Sequence, residues 1–181
     1  MSLIEDGKGS GFKAQVNTEN QLVVSAITAS EIEHESEENG AGYNWNSLKL
    51  DLAVGETYLL VKNTSETALH IECIKIANGA SATEFTVHLP TTDVTVAGGA
   101  VVTGTNLNTT SSNVADADSR SNESGNAIAT SNLLTTVFLA INAFATIETP
   151  GLILGKNKSI AVDAITEPGT AQVNIVGHYS D

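Results

Sequence analysis

The side chains that could do chemistry in this chain are few and scattered. From Ser30 to Asn39 the sequence reads SEIEHESEEN, which places His34 among Glu31, Glu33, Glu35, Glu37 and Glu38. Carboxylates beside an imidazole are metal ligands in principle. Read as an extended chain, however, the odd-numbered glutamates share one face, and a negative strip facing solvent or a partner is the expected use. In DADSRSNE, Asp116, Asp118 and Glu123 come nearest to a calcium loop, but Arg120 stands where a third oxygen ligand belongs. The glycine and final glutamate of an EF-hand are also missing. His70 and His88 sit on strand-like segments with Glu72 and Glu84 at matching parity, and His178 precedes Tyr179. No G-x-S-x-G or H-E-x-x-H accompanies them, and Gly7-Lys8-Gly9 lacks the preceding strand and following helix of a phosphate loop. The residues therefore predict no catalytic site, no metal site and no cofactor.

Two further residue types invite a functional reading. The single cysteine, Cys73, has no partner for an intramolecular disulfide and no cluster of cations to lower its pKa, so a buried, inert thiol is expected. Tyr43 and Trp45 lie in GYNWNS, where flanking asparagines suggest a turn or loop. There the two rings form a possible platform for stacking on a sugar; the competing use is to cap one end of a core.

The elements that must position these groups announce themselves by alternation. Leu48, Leu50 and Leu52 alternate with Lys49 and Asp51, and Phe85, Val87 and Leu89 alternate with Glu84, Thr86 and His88, each set predicting a half-buried strand. Between Ala68 and Ala77 the apolar phase begins on odd positions (Leu69, Ile71, Cys73) and switches to even ones (Ile74, Ile76). One extra residue in a strand does this, so a β-bulge is predicted there. Further strands are expected over Phe12 to Asn17, Gln21 to Thr28, Glu56 to Lys62, Ala100 to Leu107, Ser159 to Ile165 and Ala171 to Tyr179, separated by turn-prone groups such as Thr18-Glu19-Asn20, Asn78-Gly79-Ala80 and Gly155-Lys156-Asn157. The segment from Leu134 to Ile147 fits both helical and strand templates; β-branched Thr135, Thr136, Val137 and Ile141 favour strand. Short strands and turns at this spacing predict an all-β fold, an antiparallel β-sandwich or jelly roll. Residues 1–40 are expected to form an extended N-terminal arm with the acidic segment, and residues 41–181 the β-domain.

Composition narrows the function. The formal net charge of −13 argues against a nucleic-acid backbone or an anionic membrane as partner. No run is long and apolar enough to span a bilayer, and MSLIEDGKGSG lacks the pattern of a secretory signal, so synthesis in a cytoplasm is expected. Aromatics are only 4% of the chain, which leaves a core of Val, Ile, Leu and Ala, with Thr, Ser and Asn covering the surface.

Four stretches carry a resemblance: IEDGKGSGFKAQVNTENQLVVSAIT, YNWNSLKLDLAVGETYLLVKNTSE, TGTNLNTTSSNVADADS and PGLILGKNKSIAVDAITEPGTAQVNIVGHYS. Together they resemble virion structural proteins of tailed bacteriophages. That resemblance implies a non-enzymatic capsid decoration, or cement, protein that binds the major capsid protein or other virion proteins. It also implies a homo-oligomer, expected to be a trimer, located in the virion. Ile4, Phe12, Glu31, Glu33 and Glu35 are the candidate partner contacts. The alternative is a tail, collar or fibre protein that binds a host glycan or receptor through Tyr43, Trp45 and the polar loop from Asn106 to Gly125.

Overall fold

A computed structural model describes residues 4–5, 13–16, 22–23, 30–54, 56–96, 98–124, 131–167 and 169–180. The chain divides into two compact units, Met1–Ser30 and Glu31–Asp181. In the first, β1 (Ile4–Glu5), β2 (Lys13–Val16) and β3 (Leu22–Val23) pair antiparallel in the order β1-β2-β3. Phe12, the Thr18-Glu19-Asn20 turn and most of the expected Met1 to Gly11 arm lie outside the described residues.

The second unit opens with a helical segment. Helix α1 (Glu31–His34) runs into a π-helical turn over Glu35–Asn39, closed by Gly40 in the left-handed region at φ 60°. The acidic segment is therefore not extended. Glutamate has good helix propensity, and the segment contains no glycine or proline to break a turn. At helical spacing Glu33 points away from the side shared by Glu31 and Glu35, so the expected single-faced strip does not form. Asparagines of the polar loop then cap the helix end. Asn108 donates to the Glu37 carbonyl at 3.2 Å, Asn113 to that of Asn39 at 2.9 Å and Asn106 to that of Gly40 at 2.8 Å. They satisfy carbonyls that a helix C-terminus leaves without intrahelical donors.

The remaining strands are β4 (Gly42–Asn46), β5 (Glu56–Asn63), β6 (Ala68–Asn78), β7 (Thr83–Pro90), β8 (Ala100–Val101), β9 (Thr105–Asn106), β10 (Ala117–Ser121), β11 (Glu123–Ser124), β12 (Ser131–Leu139), β13 (Phe144–Leu154), β14 (Ser159–Ala164) and β15 (Ala171–Ser180). They form two antiparallel sheets packed face to face, the predicted β-sandwich. One sheet has the order β12-β7-β14-β5-β10-β8, with β11 also on β5; the other has the order β13-β6-β15-β4-β9. Between them lie Leu59, Val61, Phe85, Val87, Ile160 and Val162 from the first sheet, and Trp45, Leu69, Ile71, Ile74, Val173 and Ile175 from the second. Each such side chain removed from water contributes about 1.5–3 kcal/mol before conformational entropy is subtracted. Strand β5 is buried on both faces, because a strap carrying Val94 and Val96 packs on Leu60 and Ala161 from outside. Lys62 holds the strap by donating to the Val94 carbonyl at 2.9 Å and pairing with Asp93.

Several strand expectations change in detail. Leu48 to Leu52 is not a strand. The Leu48 N–H donates to Asn46 Oδ1 at 2.7 Å, an Asx-type turn that leaves Leu48 exposed at φ 61°, and only Leu50 bridges to Ala171. Ala100 to Leu107 is two short strands, β8 in one sheet and β9 in the other. Between them Gly104 passes so close to the indole that a Cβ there would lie 2.7 Å from Trp45 Nε1. The Leu134 to Ile147 segment is strand on both sides of a turn, where Asn142 takes φ 55°. The expected loop from Asn106 to Gly125 contains β10 and β11. The predicted bulge in β6 is present: pairing with β15 is in register up to Ile71 and resumes at Cys73, leaving Glu72 as the extra residue.

Candidate functional site

The bulge at Glu72 and the antiparallel pairing of β6 with β15 converge two histidines that are distant in sequence. His70 and His178 are direct cross-strand partners, and their rings stack with centroids 5.0 Å apart and planes 22° apart. Alternation along β15 turns Val173 and Ile175 into the core and His178 to the opposite face. There Glu31 of α1 approaches it, and His178 is fully buried. Its Nδ1 lies 3.1 Å from Glu72 Oε1 and its Nε2 3.8 Å from Glu31 Oε1, and among the described residues neither ring nitrogen makes a hydrogen bond of normal geometry. One donor atom from each of Glu31, His70 and His178 lies within 4.8 Å of the others. Two imidazoles and a carboxylate make a ligand set suited to a zinc-type ion, with Glu72 placed behind His178 as a carboxylate that can orient it.

The other groups singled out in the sequence do not meet here. Glu33 is exposed; Glu35 accepts a hydrogen bond from Asn39 at 2.6 Å; His34 pairs with Glu38 at 3.6 Å. Asp116, Asp118 and Glu123 form no calcium loop. Asp118 lies on β10 beside Arg120 at 3.2 Å, Asp116 accepts from Thr64 at 2.7 Å, and Glu123 is buried on β11. His88 Nδ1 meets Ser131 Oγ at 2.9 Å, and burial pushes the imidazole below its ordinary pKa. Among the described residues no carboxylate pairs with His88, so this hydroxyl–imidazole contact lacks the orienting acid of a catalytic triad. Cys73 is half-buried, and burial pushes its thiol pKa up.

The aromatic platform is a correction. Trp45 is wholly buried and Tyr43 nearly so, with their ring centroids 5.9 Å apart and Tyr179 edge-on to Tyr43 at 5.8 Å. Both belong to β4, whose alternation turns the rings into the sandwich and Asn44 and Asn46 outward. Neither ring has a face open to a sugar. Ile4 lies on β1, and Phe12 is outside the described residues.

A different surface stands out, one that the sequence reading missed. Strands β12 and β13 each end a sheet and are joined by the turn at Asn142. They leave Leu133, Phe138, Ile141, Phe144 and Ile153 between 52% and 70% exposed, with Leu134 at 41%. Leu134 and Thr135 of β12 and Ile147, Pro150 and Leu152 of β13 line a groove of about 440 Å³. Strand β13 is itself interrupted: its pairing with β6 jumps from Glu148 to Leu152, and Thr149 donates across the gap to the Ile71 carbonyl at 2.8 Å. The available sequence signal was the run of large apolar residues at positions where strand alternation leaves no inward place for them.

The class of protein defined here is a two-sheet antiparallel β-sandwich with an apolar pair of edge strands and a buried histidine cluster. Comparison with protein-family models, curated proteins and solved structures finds no match.

Proposed function

We propose that this chain is a structural component of a tailed-phage virion, a capsid decoration protein that binds and stabilises the head shell through protein–protein contacts. The β12–β13 edge is the face it presents to a neighbour. The observation that carries the reading is the open groove at this edge, lined by Leu134, Ile147, Pro150 and Leu152, with further large apolar side chains exposed along both of the strands that flank it. An apolar groove between two edge strands is a feature that a partner chain can fill. Edge strands also offer unpaired backbone donors and acceptors to a partner chain. Symmetric replication on a shell multiplies modest contacts into firm attachment. The acidic, Thr- and Asn-rich remainder keeps other faces soluble at the high local concentration such an assembly requires.

The test combines Phe138→Asp with Phe144→Asp. Both side chains are mostly exposed, so the unfolding free energy should stay within about 0.5 kcal/mol of wild type. Co-sedimentation with purified shells should be lost, and any self-association seen by native mass should weaken. Shell loading at the wild-type level by the double variant removes this edge from the proposal. Failure of the wild type to associate with any shell removes the virion assignment itself.

A further inference from the structure

We propose that Glu31, His70 and His178 bind a divalent transition-metal ion of the zinc class, and that the ion clips the acidic helix to the five-stranded sheet. Three features of the cluster point the same way. The donor atoms already lie within 4.8 Å of one another, although they come from three separate elements, α1, β6 and β15. His178 is completely buried, and among the described residues neither of its ring nitrogens makes a hydrogen bond of normal geometry; the groups nearest to them are the carboxylates of Glu72 and Glu31. Finally, Glu72 Oε1 sits 3.1 Å from Nδ1 while Glu31 Oε1 faces Nε2. A carboxylate behind one ring nitrogen with the other directed at the ion is how metal-bound histidines are held in one tautomer and orientation.

Ligand chemistry selects the ion. Imidazole nitrogens with a single carboxylate suit zinc and its neighbours, whereas magnesium and calcium require sites built from oxygen. The present spacing is wider than a closed tetrahedral site, where ligands about 2.0–2.1 Å from the ion stand closer together. Closing the site takes two movements: the Glu31 side chain, 63% exposed at the first position of a short helix, swings in, and the His70 ring turns out of its stack on His178 so that both in-plane lone pairs meet the ion. The two glutamates and the chain's charge of −13 favour a cation here. Three protein ligands leave a fourth position for water. Metal binding does not depend on the virion reading, and either can fail without the other.

The experiment uses the full chain stripped of metal with a chelator and titrated with Zn2+ against a chromophoric competitor, with thermal unfolding followed in parallel. Wild type should take up one Zn2+ per chain and melt at a higher temperature with Zn2+ than with Mg2+. Glu31→Gln and His70→Ala should each weaken uptake by at least about tenfold, and Glu72→Gln by about 10–100-fold, the usual cost of losing an outer-shell partner. Glu31 is exposed, so its variant remains folded even if a change at buried His178 does not. His34→Ala, which alters the other histidine–glutamate pair of the helix, should bind as wild type does. Equal Zn2+ affinity in wild type, Glu31→Gln and His70→Ala overturns the proposal, as does loss of uptake in His34→Ala or no saturable uptake by wild type.

Discussion

Asp163 offers a test of the sandwich that needs no knowledge of function. It lies on β14 between β5 and β7, at a register irregularity that follows Val162. Burial pushes its carboxyl up to about 6 from an ordinary 3.8, against the opposing effect of a hydrogen bond accepted from the Ala164 N–H at 2.7 Å. A carboxyl with a raised folded-state pKa binds its proton more tightly when folded than when unfolded. Stability therefore falls as pH rises from about 4 to about 6, and the full penalty is present at neutral pH. The gap between 3.8 and about 6 corresponds to about 3 kcal/mol at 1.36 kcal/mol per pH unit; residual solvent contact reduces this to about 1–3 kcal/mol. Asp163→Asn keeps the shape and the acceptor oxygen but cannot ionise. Urea denaturation at pH 7.5 should show the variant more stable by about 1–3 kcal/mol, a rise in melting temperature of about 2–4 °C per kcal/mol for a chain of this size. At pH 3.5 the difference should vanish. Other acidic residues titrate over the same range, but subtracting variant from wild type isolates this one. An Asp163→Asn protein that is no more stable than wild type at pH 7.5, or whose advantage persists unchanged at pH 3.5, refutes the assignment of a partly buried, desolvated carboxyl.

Two further outcomes follow from packing. Trp45→Ala should cost about 3–5 kcal/mol by urea titration followed by circular dichroism, because it empties the centre of the core; a loss below about 1 kcal/mol would return Trp45 to the surface. Cys73 should react slowly with iodoacetamide in the native protein at pH 8 and rapidly in urea, since burial holds the thiol protonated; equal rates in the two states would contradict that placement.

Where side-chain alternation reflected one buried face, the sequence was legible. Phe85 and Val87 of β7 face the core as their spacing requires, and the phase change read between Cys73 and Ile74 signalled a bulge that the strand pairing places at Glu72, slightly earlier in the strand. Alternation misled at Leu48 to Leu52, where the side chain of Asn46 captures the Leu48 N–H and turns the chain out of the sheet. It also misled at the acidic segment, where the parity of the glutamates suggested an extended strip and helix propensity prevailed. The asparagines around Trp45 suggested a loop because local composition cannot show that their outward faces lie on a strand whose inward faces are aromatic.

The sequence alone determined that this chain is built from antiparallel strands around an aliphatic core, because period-two burial and turn chemistry act over a few residues at a time. Tertiary structure decided the rest. The stacking of His70 on His178 depends on the register between two strands far apart in the chain, and the approach of Glu31 depends on how a helix packs over them. The exposure of Phe138 and Phe144 depends on which strands end the sheets. Such relations are set by the summed packing of the whole unit, which no local pattern of residues encodes.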